Sequence, residues 1–545
     1  MARDLHRHPR RFPRSGGHAP HREVAVLGVF TAEEMRRLDQ RAITDLGIPG
    51  ATLMENAGRG AAEAVVAALP ALGAPRRGAR IVIVCGKGGN GGDGFVVARW
   101  LKRHGARPSV LLMHQPAEIA GDAGRKLAEL SRSGIRPRPF ADDRASAREL
   151  SRAHLIIDAL LGTGSRGAAE GGISRAIELI NASGRPVVAL DIPSGLSANT
   201  GAHAGAAIKA TMTLTFAGLK RGLVTSPGDE LAGRVSVISI GVPDHEVARG
   251  VTTFLLDPAD VAPHFPWRSR ATHKGTYGHL LLVAGSLGKT GAAALSALSA
   301  MRSGTGLVTV AVPASQQPVV ASLVLEAMTE TLPETSARTL ALKAREAILE
   351  LAGLRDAVAI GPGIGLDDET AQVARGLVHE LRLPMAVDAD ALTALAGHLD
   401  VLRDAPAPRC LTPHPGEMAR MLGARVDEVQ RDRIETVREF ATRHRVHIVL
   451  KGARSVIGAP DGRVFVNPTG NPGMASGGTG DVLTGMLGAF LARGLEPGAA
   501  LRASVYLHGS AGDIAAERLG EEALIARDVI AGIPEAFKRL RGGGG

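Results

Sequence analysis

A short apolar run that ends in a glycine turn and reopens as a helix recurs along this chain, and no other feature constrains its fold as tightly. Arg80-Ile-Val-Ile-Val-Cys85 enters Gly86-Lys-Gly-Gly-Asn-Gly-Gly-Asp-Gly94, and a helix is expected over 95–104. Residues 155–158 run into Gly162-Thr-Gly164, and residues 186–191 into Ile192-Pro-Ser-Gly195. Strands that alternate with helices pair in parallel, and the loops at their carboxyl ends gather the functional groups. The expected fold class is therefore α/β. Aromatics make up only 3% of the chain, so Ala, Val, Leu and Ile must build the cores.

A length of 545 residues exceeds one ordinary domain, and two are expected. The first is placed at 29–245. Thr31-Ala-Glu-Glu34 reads as a capping box, and Met35, Leu38, Ala42, Ile43 and Leu46 recur at helical spacing behind it. A second helix is expected over 52–69. The pattern pauses after Ile240-Gly-Val-Pro243, and the polar, proline-containing stretch 246–270 reads as a linker. A different strand–helix series then fills 271–540. Its glycine turns and strand ends include Gly361-Pro-Gly-Ile-Gly365, Asp388-Ala-Asp390 and Thr412-Pro-His-Pro-Gly-Glu417.

The net charge is +10, and residues 1–28 carry six Arg against Asp4 and Glu23, which is four of the ten. This head has no apolar core for a signal peptide and is expected to be a disordered basic extension. The remaining charge is spread out without interleaved aromatics, so no nucleic-acid partner is expected. No apolar run is long enough for a membrane span. The two cysteines, Cys85 and Cys410, lie far apart without metal-ligand spacing, which suits a reducing cytoplasm.

Asn471-Pro-Gly-Met-Ala-Ser-Gly-Gly-Thr-Gly-Asp481 is the densest chemical signal. A glycine turn opening a helix offers backbone N–H groups and the helix dipole to an anion. An aspartate there would repel a phosphate unless it acts on a neighbouring hydroxyl. A base beside a phosphate cradle points to phosphoryl transfer to an alcohol. The alternative reading is a structural turn whose Asp caps the helix.

Together, Thr412-Pro-His-Pro-Gly-Glu417, Val387-Asp-Ala-Asp-Ala391, Leu450-Lys-Gly-Ala-Arg454 and Gly473–Asp481 resemble the ribokinase-like NAD(P)H-hydrate dehydratases, in their ADP-using branch. The resemblance covers about 271–537. It implies a three-layer α/β domain that phosphorylates the ring hydroxyl of hydrated NADH or NADPH and expels the phosphate, turning ADP into AMP. In those terms Asp481 is the general base, and Ala292, Gly365, His414 and Asp481 meet the hydrated dinucleotide. Lys451, Gly452, Ala453, Arg454, Ser455 and Gly480 would hold the nucleotide, with Mg²⁺ accompanying it. His414 could instead pin a turn, and Lys451 could be a solvated charge.

The turn Gly86–Gly94 is neither a Walker A loop nor the usual dinucleotide fingerprint, since no Gly-Lys-Ser/Thr opens its helix. With Asp158-Ala-Leu-Leu-Gly-Thr-Gly164 and Asp191-Ile-Pro-Ser-Gly195 it resembles the Rossmann-like NAD(P)H-hydrate epimerases over about 29–243. Gly89 departs from that family's motif, where Asn is usual. The resemblance implies a K⁺ ion held by Asn90, Asp158 and Ser194. It also implies a substrate lining of Gly89, Asn90, Gly91, Gly92, Asp93, Gly162, Thr163, Gly164, Ser165, Arg166, Gly167, Ala168 and Asp191. Hard oxygen donors suit an alkali cation. Asp191 is the candidate for proton transfer at the inverting carbon, and Asp158 and Asp191 as plain turn caps are the alternative.

Two other functions stay open on sequence. One is a ribokinase-type small-molecule kinase, and the other is a first half that only binds a dinucleotide without turnover. A homo-oligomer is neither required nor excluded.

Overall fold

The computed structural model describes residues 27–141, 144–165 and 167–542. The basic head up to residue 26 and the candidate Arg166 lie outside the described residues. Among the described residues no helix is long and apolar enough to cross a membrane.

The first series forms a seven-stranded, all-parallel sheet. Its order is Arg138–Pro139, Arg107–Leu112, Arg80–Cys85, Leu155–Ala159, Val187–Leu190, Met212–Phe216 and Arg234–Ile238. The central strands are buried on both faces, which is why they read as continuous Val/Ile/Leu runs rather than alternations. The capping box forms as expected: Thr31 accepts from the Glu34 N–H, and Glu34 accepts from the Thr31 N–H.

The glycine turn is shorter than the sequence suggested. The helix begins at Gly89, not Phe95, so Asn90 and Asp93 stand in its first turns. Glycine disfavours helix by about 1 kcal/mol per residue, yet contact overrides propensity here. A Cβ on Gly91 would lie 2.0 Å from the Gly86 carbonyl oxygen, and one on Gly94 2.8 Å from Cys85 Sγ.

The second series forms a parallel run: Met328–Leu332, Leu307–Pro313, His279–Val283, Ala357–Ile360, Met385–Val387, Arg409–Leu411 and His447–Leu450. Two antiparallel strands, Val456–Gly458 and Val464–Val466, follow at its edge. This sheet does not end with its own half. Thr253–Leu255 pairs with Val464–Val466, Leu27–Phe30 pairs with Thr253–Leu255, and Leu219–Lys220 pairs with Leu27–Phe30.

Two expectations change accordingly. The stretch 246–270 is folded rather than a free linker: it supplies the strand Thr253–Leu255 and buries Phe265 against Phe490 and Phe537 at ring-centroid distances of 4.9 and 5.1 Å. Leu27 and Gly28, assigned to the disordered head, belong to a paired strand. Neither strand shows the alternation of an edge strand: Thr253–Leu255 lies between Val464–Val466 and Leu27–Phe30, and Leu27–Phe30 lies between it and Leu219–Lys220.

Two ion pairs add to this seam: Arg221 with Glu435 at 2.7 Å and Arg454 with Asp229 at 2.8 Å. Apolar residues of the first half, including Val29, Ile192, Leu219 and Leu223, pack within the core of the second.

Candidate active sites

A cavity of about 610 Å³ opens at the carboxyl ends of the first sheet. Gly89, Asn90, Asp93, Gly162, Thr163, Gly164, Ser165 and Asp191 line it, as the sequence suggested. Gly91 and Gly92 lie behind it, the first against the Gly86 carbonyl and the second against Met54. Gly167 and Ala168 are not among the lining residues.

Asp191 adopts a left-handed backbone conformation, φ 63°, which is costly for a non-glycine residue and recurs at functional sites. Its carboxylate accepts from Lys220 Nζ. Lys220 is only 1% exposed and also donates to Thr215 Oγ1 at 2.9 Å and to the Phe216 carbonyl at 2.8 Å. All three ammonium protons thus have acceptors, which makes a buried lysine affordable. Sequence reasoning missed Lys220. Its signal was a lone lysine closing the apolar stretch Leu214-Thr-Phe-Ala-Gly-Leu-Lys220, and only the fold brings it to Asp191.

Asp39 and Asp93 also line the cavity. Burial pushes the Asp93 carboxyl well above its usual range, and the charge of Asp191 adds to the effect. Burial likewise raises Asp39 to about 6.

Beneath the cavity, Ser194 Oγ donates to Asp158 Oδ1 at 2.6 Å and the Ser194 N–H to Oδ2 at 2.8 Å. Burial raises the Asp158 carboxyl to about 6. Asn90 Nδ2 donates to the Leu161 and Leu190 carbonyls at 2.7 and 3.0 Å, which fixes the amide orientation. Asn90 Oδ1 is left buried without a partner. Ser194 Oγ in turn accepts from the Leu161 N–H at 2.9 Å, so Asn90 and Ser194 meet at Leu161 and Asp158 joins them through Ser194. An orphaned amide oxygen beside a carboxylate and a hydroxyl is a donor set that an alkali cation satisfies.

In the second half the Gly-rich loop behaves as read. Gly478, φ 92°, caps the helix Thr479–Ala492, and Asp481 sits in its first turn. Small residues set its position. Ser296 Oγ donates to the Asp481 carbonyl at 2.9 Å, and a Cβ on Gly485 would lie 2.0 Å from the Ser296 carbonyl oxygen. The helices Thr290–Arg302 and Thr479–Ala492 therefore touch backbone to backbone. His508, kept neutral because burial pushes its ring down to about 4, shares a hydrogen bond with the Thr479 carbonyl at 2.9 Å.

Lys451 is no solvated charge. It donates to Asp388 Oδ1 at 2.9 Å and lies 3.8 Å from Glu417 Oε2. Asp388 is 2% exposed and also accepts from Thr484 Oγ1 at 2.6 Å. Burial alone would raise Asp388, but Lys451 and Thr484 outweigh it and hold the carboxyl below its ordinary value. Among the described residues Asp481 has no such hydrogen-bond partner. Burial, reinforced by the charge of Asp388, lifts its carboxyl to about 7.

Asp390 accepts from the Gly365 N–H at 2.9 Å and from Lys289 Nζ at 3.0 Å, and a Cβ on Gly363 would lie 3.3 Å from that of Ala292. Ala292, Gly365, Gly480, Lys451 and Asp481 thus converge on the same strand ends. Asp388, Asp390, Lys289 and Thr484 join them without having been assigned roles from sequence.

His414 acts as a cap. Its Nδ1 accepts from the Gly416 and Glu417 N–H groups at 3.0 and 3.2 Å, which leaves the proton on Nε2, 3.4 Å from Glu417 Oε1. The loop 451–455 is braced from below, where Arg433 donates to the Leu450, Lys451 and Ala453 carbonyls. The Arg454 side chain is tied to Asp229 and the Pro468 carbonyl, and Ser455 Oγ donates to the Gly452 carbonyl.

Comparison with known proteins matches these two constellations. A family model described as NAD(P)H-hydrate dehydratase matches residues 280–535, and one described as YjeF-related protein N-terminus matches 50–222. A bifunctional NAD(P)H-hydrate repair enzyme of Moorella thermoacetica is 44% identical over 516 residues, covering 94% of this chain and 97% of that one. The chain belongs to the bifunctional NAD(P)H-hydrate repair enzyme family. An Escherichia coli protein of the same description is 36% identical over 503 residues, covering 92% of each chain. Among solved structures, an ADP/ATP-dependent NAD(P)H-hydrate dehydratase of Bacillus subtilis, co-crystallised with ATP/Mg²⁺, is 33% identical. It covers 52% of this chain and 98% of its own, with a TM-score of 0.46. As a member of the family, the chain pairs an epimerase half with a dehydratase half.

Proposed function

We propose that this enzyme repairs hydrated NADH and NADPH at two centres, with Asp191 and Asp481 as the proton-transfer groups, and that ADP drives the second. The observation that carries the reading is Asp481: an unpaired carboxyl near neutrality, on a glycine-capped helix start beside Lys451. A general base works best with a pKa close to the working pH.

At the second centre Asp481 takes the proton from the hydroxyl on ring carbon six. That oxygen bonds to the terminal phosphorus of ADP as the bridging P–O bond breaks and AMP leaves. N–H groups at the turn Gly477–Gly480 offset charge on the transferring group, and Lys451 adds a fixed positive charge. The ring nitrogen then expels phosphate, and loss of a proton from carbon five restores the dihydropyridine. Mg²⁺ would enter with the nucleotide, on its phosphates.

At the first centre Asp191, oriented by Lys220, takes the hydroxyl proton as the bond from nitrogen to carbon six opens to an aldehyde. Asp93, whose carboxyl burial and the charge of Asp191 push well above its usual range, is the donor to the ring nitrogen. Reclosure on the other face inverts the carbon. Asn90, Asp158 and Ser194 would hold K⁺, which supplies positive charge beside Asp158 and an oxygen-seeking contact for substrate. The buried free thiols of Cys85 and Cys410 support a reducing cytoplasmic setting.

The test is mixed epimers of NADH hydrate incubated with ADP, following the near-ultraviolet absorbance of the restored dihydropyridine. Full recovery needs both centres. Recovery of only the S share would remove the epimerase role, and none at all would remove the dehydratase.

A further inference from the structure

The first sheet has a second cavity at the opposite edge from Asp191, about 730 Å³ in volume. Arg80 and Arg107, the first residues of the strands Arg80–Cys85 and Arg107–Leu112, line it. The helix Arg144–Arg152 contributes Arg144, Arg148 and Arg152, which share one face at i, i+4 and i+8. Arg138 enters from the edge strand. Among the described residues Glu149 is the one carboxylate in the lining, and it is shared between Arg138 and the Ser109 hydroxyl. Arg80 Nε donates to the Arg152 carbonyl at 3.0 Å. Arg107, Arg144, Arg148 and Arg152 therefore have no carboxylate partner within ion-pair distance among the described residues.

Like charges four residues apart on a helix repel one another, so this row opposes the helix that carries it unless an anion sits between the guanidinium groups. Arginine's planar fork matches phosphate oxygens two at a time. Among the described residues no aromatic side chain lines the cavity, so none there would stack on a base. The volume is that of a small-molecule site. Positive charge that looks scattered along the sequence is thus collected in one concavity, at the strand ends opposite the carboxyl-end loops of the first centre. We propose that this arginine cavity binds a small, multiply charged phosphate compound.

The test is calorimetric titration of the full-length enzyme with inorganic tripolyphosphate, for wild type, Arg144→Gln/Arg148→Gln and Arg107→Gln. The exposed arginines can be neutralised without opening a core, and unchanged recovery from mixed epimers, which needs both centres, would show each variant folded. A saturable component at least ten-fold weaker in both variants, and weakened by salt in wild type, is the expected result. If neither variant loses a component, the proposal fails, because the nucleotide cradle of the second half cannot respond to these substitutions. Sedimentation with vesicles of phosphatidylcholine and phosphatidylglycerol separates the two sources of phosphate. Vesicle binding without tripolyphosphate binding would overturn the small-molecule reading.

Discussion

The two centres handle an aspartate in opposite ways. In the first, Lys220 bonds directly to Asp191 and is itself saturated by Thr215 and Phe216. In the second, the lysine is tied to Asp388, and Asp481 is left alone with its carboxyl lifted to about 7. A carboxylate bonded to a buried lysine is held in place, whereas an unpaired one beside another carboxylate exchanges its proton near neutral pH. The same two residue types, lysine and aspartate, form a direct pair that orients the aspartate in one half and stand apart in the other, where the lysine holds a second carboxylate.

Asp481→Asn tests the unpaired carboxyl and should have the largest effect. S-epimer dehydration should fall by about 10²–10⁴-fold, the usual contribution of a positioned base, with the helix start intact. The pH behaviour follows from its sign. The folded value of about 7 lies above the ordinary 3.8, so ionising Asp481 opposes folding as pH rises between them. The Asn variant should therefore be more stable than wild type above about pH 7, by on the order of 1–3 kcal/mol, and indistinguishable below about pH 4 in denaturant titrations. Wild-type kcat/KM for dehydration should rise with pH through about 7. A flat profile would break the contrast between the centres.

Lys220→Met tests the direct pair. Leaving Asp191 buried without its partner should cost about 3–5 kcal/mol and abolish epimerisation, while pure S epimer is still dehydrated. Lys220→Met/Asp191→Leu should recover most of the stability and none of the epimerisation; failure to recover it would deny the pair.

Phe265→Ala asks whether the two halves stand or fall together. Removing a buried aromatic costs about 3–5 kcal/mol, and the loss should appear in a single unfolding transition shared by both activities. Gly89→Asn should have the smallest effect. Gly89 has an ordinary φ, and a Cβ there meets nothing within 4 Å, so the side chain usual in the family is sterically free to enter the cavity. Stability should change by less than about 1 kcal/mol, and a measurable change in KM for the R epimer alone would show that this position reads substrate.

Much of this was legible in the chain. The Thr31 capping box, the apolar runs of the strands at 80–85 and 357–360, and a glycine turn opening a helix at Asp481 are all signals carried within a few residues. What was not legible depended on distant partners. Lys220 reads as an ordinary end of an apolar segment until the fold sets it against Asp191, 29 residues away. Asp388 and Lys451 are 63 residues apart in sequence. His414 was read as a substrate contact with a turn as the alternative, and its ring is seen capping the helix Pro415–Leu422. The stretch 246–270 looked like a linker because its strand owes its stability to Val464–Val466 and Leu27–Phe30, not to its own alternation.

Periodicity, caps and glycine turns act over a few residues, so the chain alone determined two α/β series, their strand ends and the aspartates placed on them. Which charges would pair, which aspartate would keep an exchangeable proton, and that one sheet would take strands from both halves were decided only by the tertiary structure. Those outcomes depend on burial and on electrostatic contacts between segments far apart in sequence, where the cost of desolvating a charge is set by which partner the fold brings within reach.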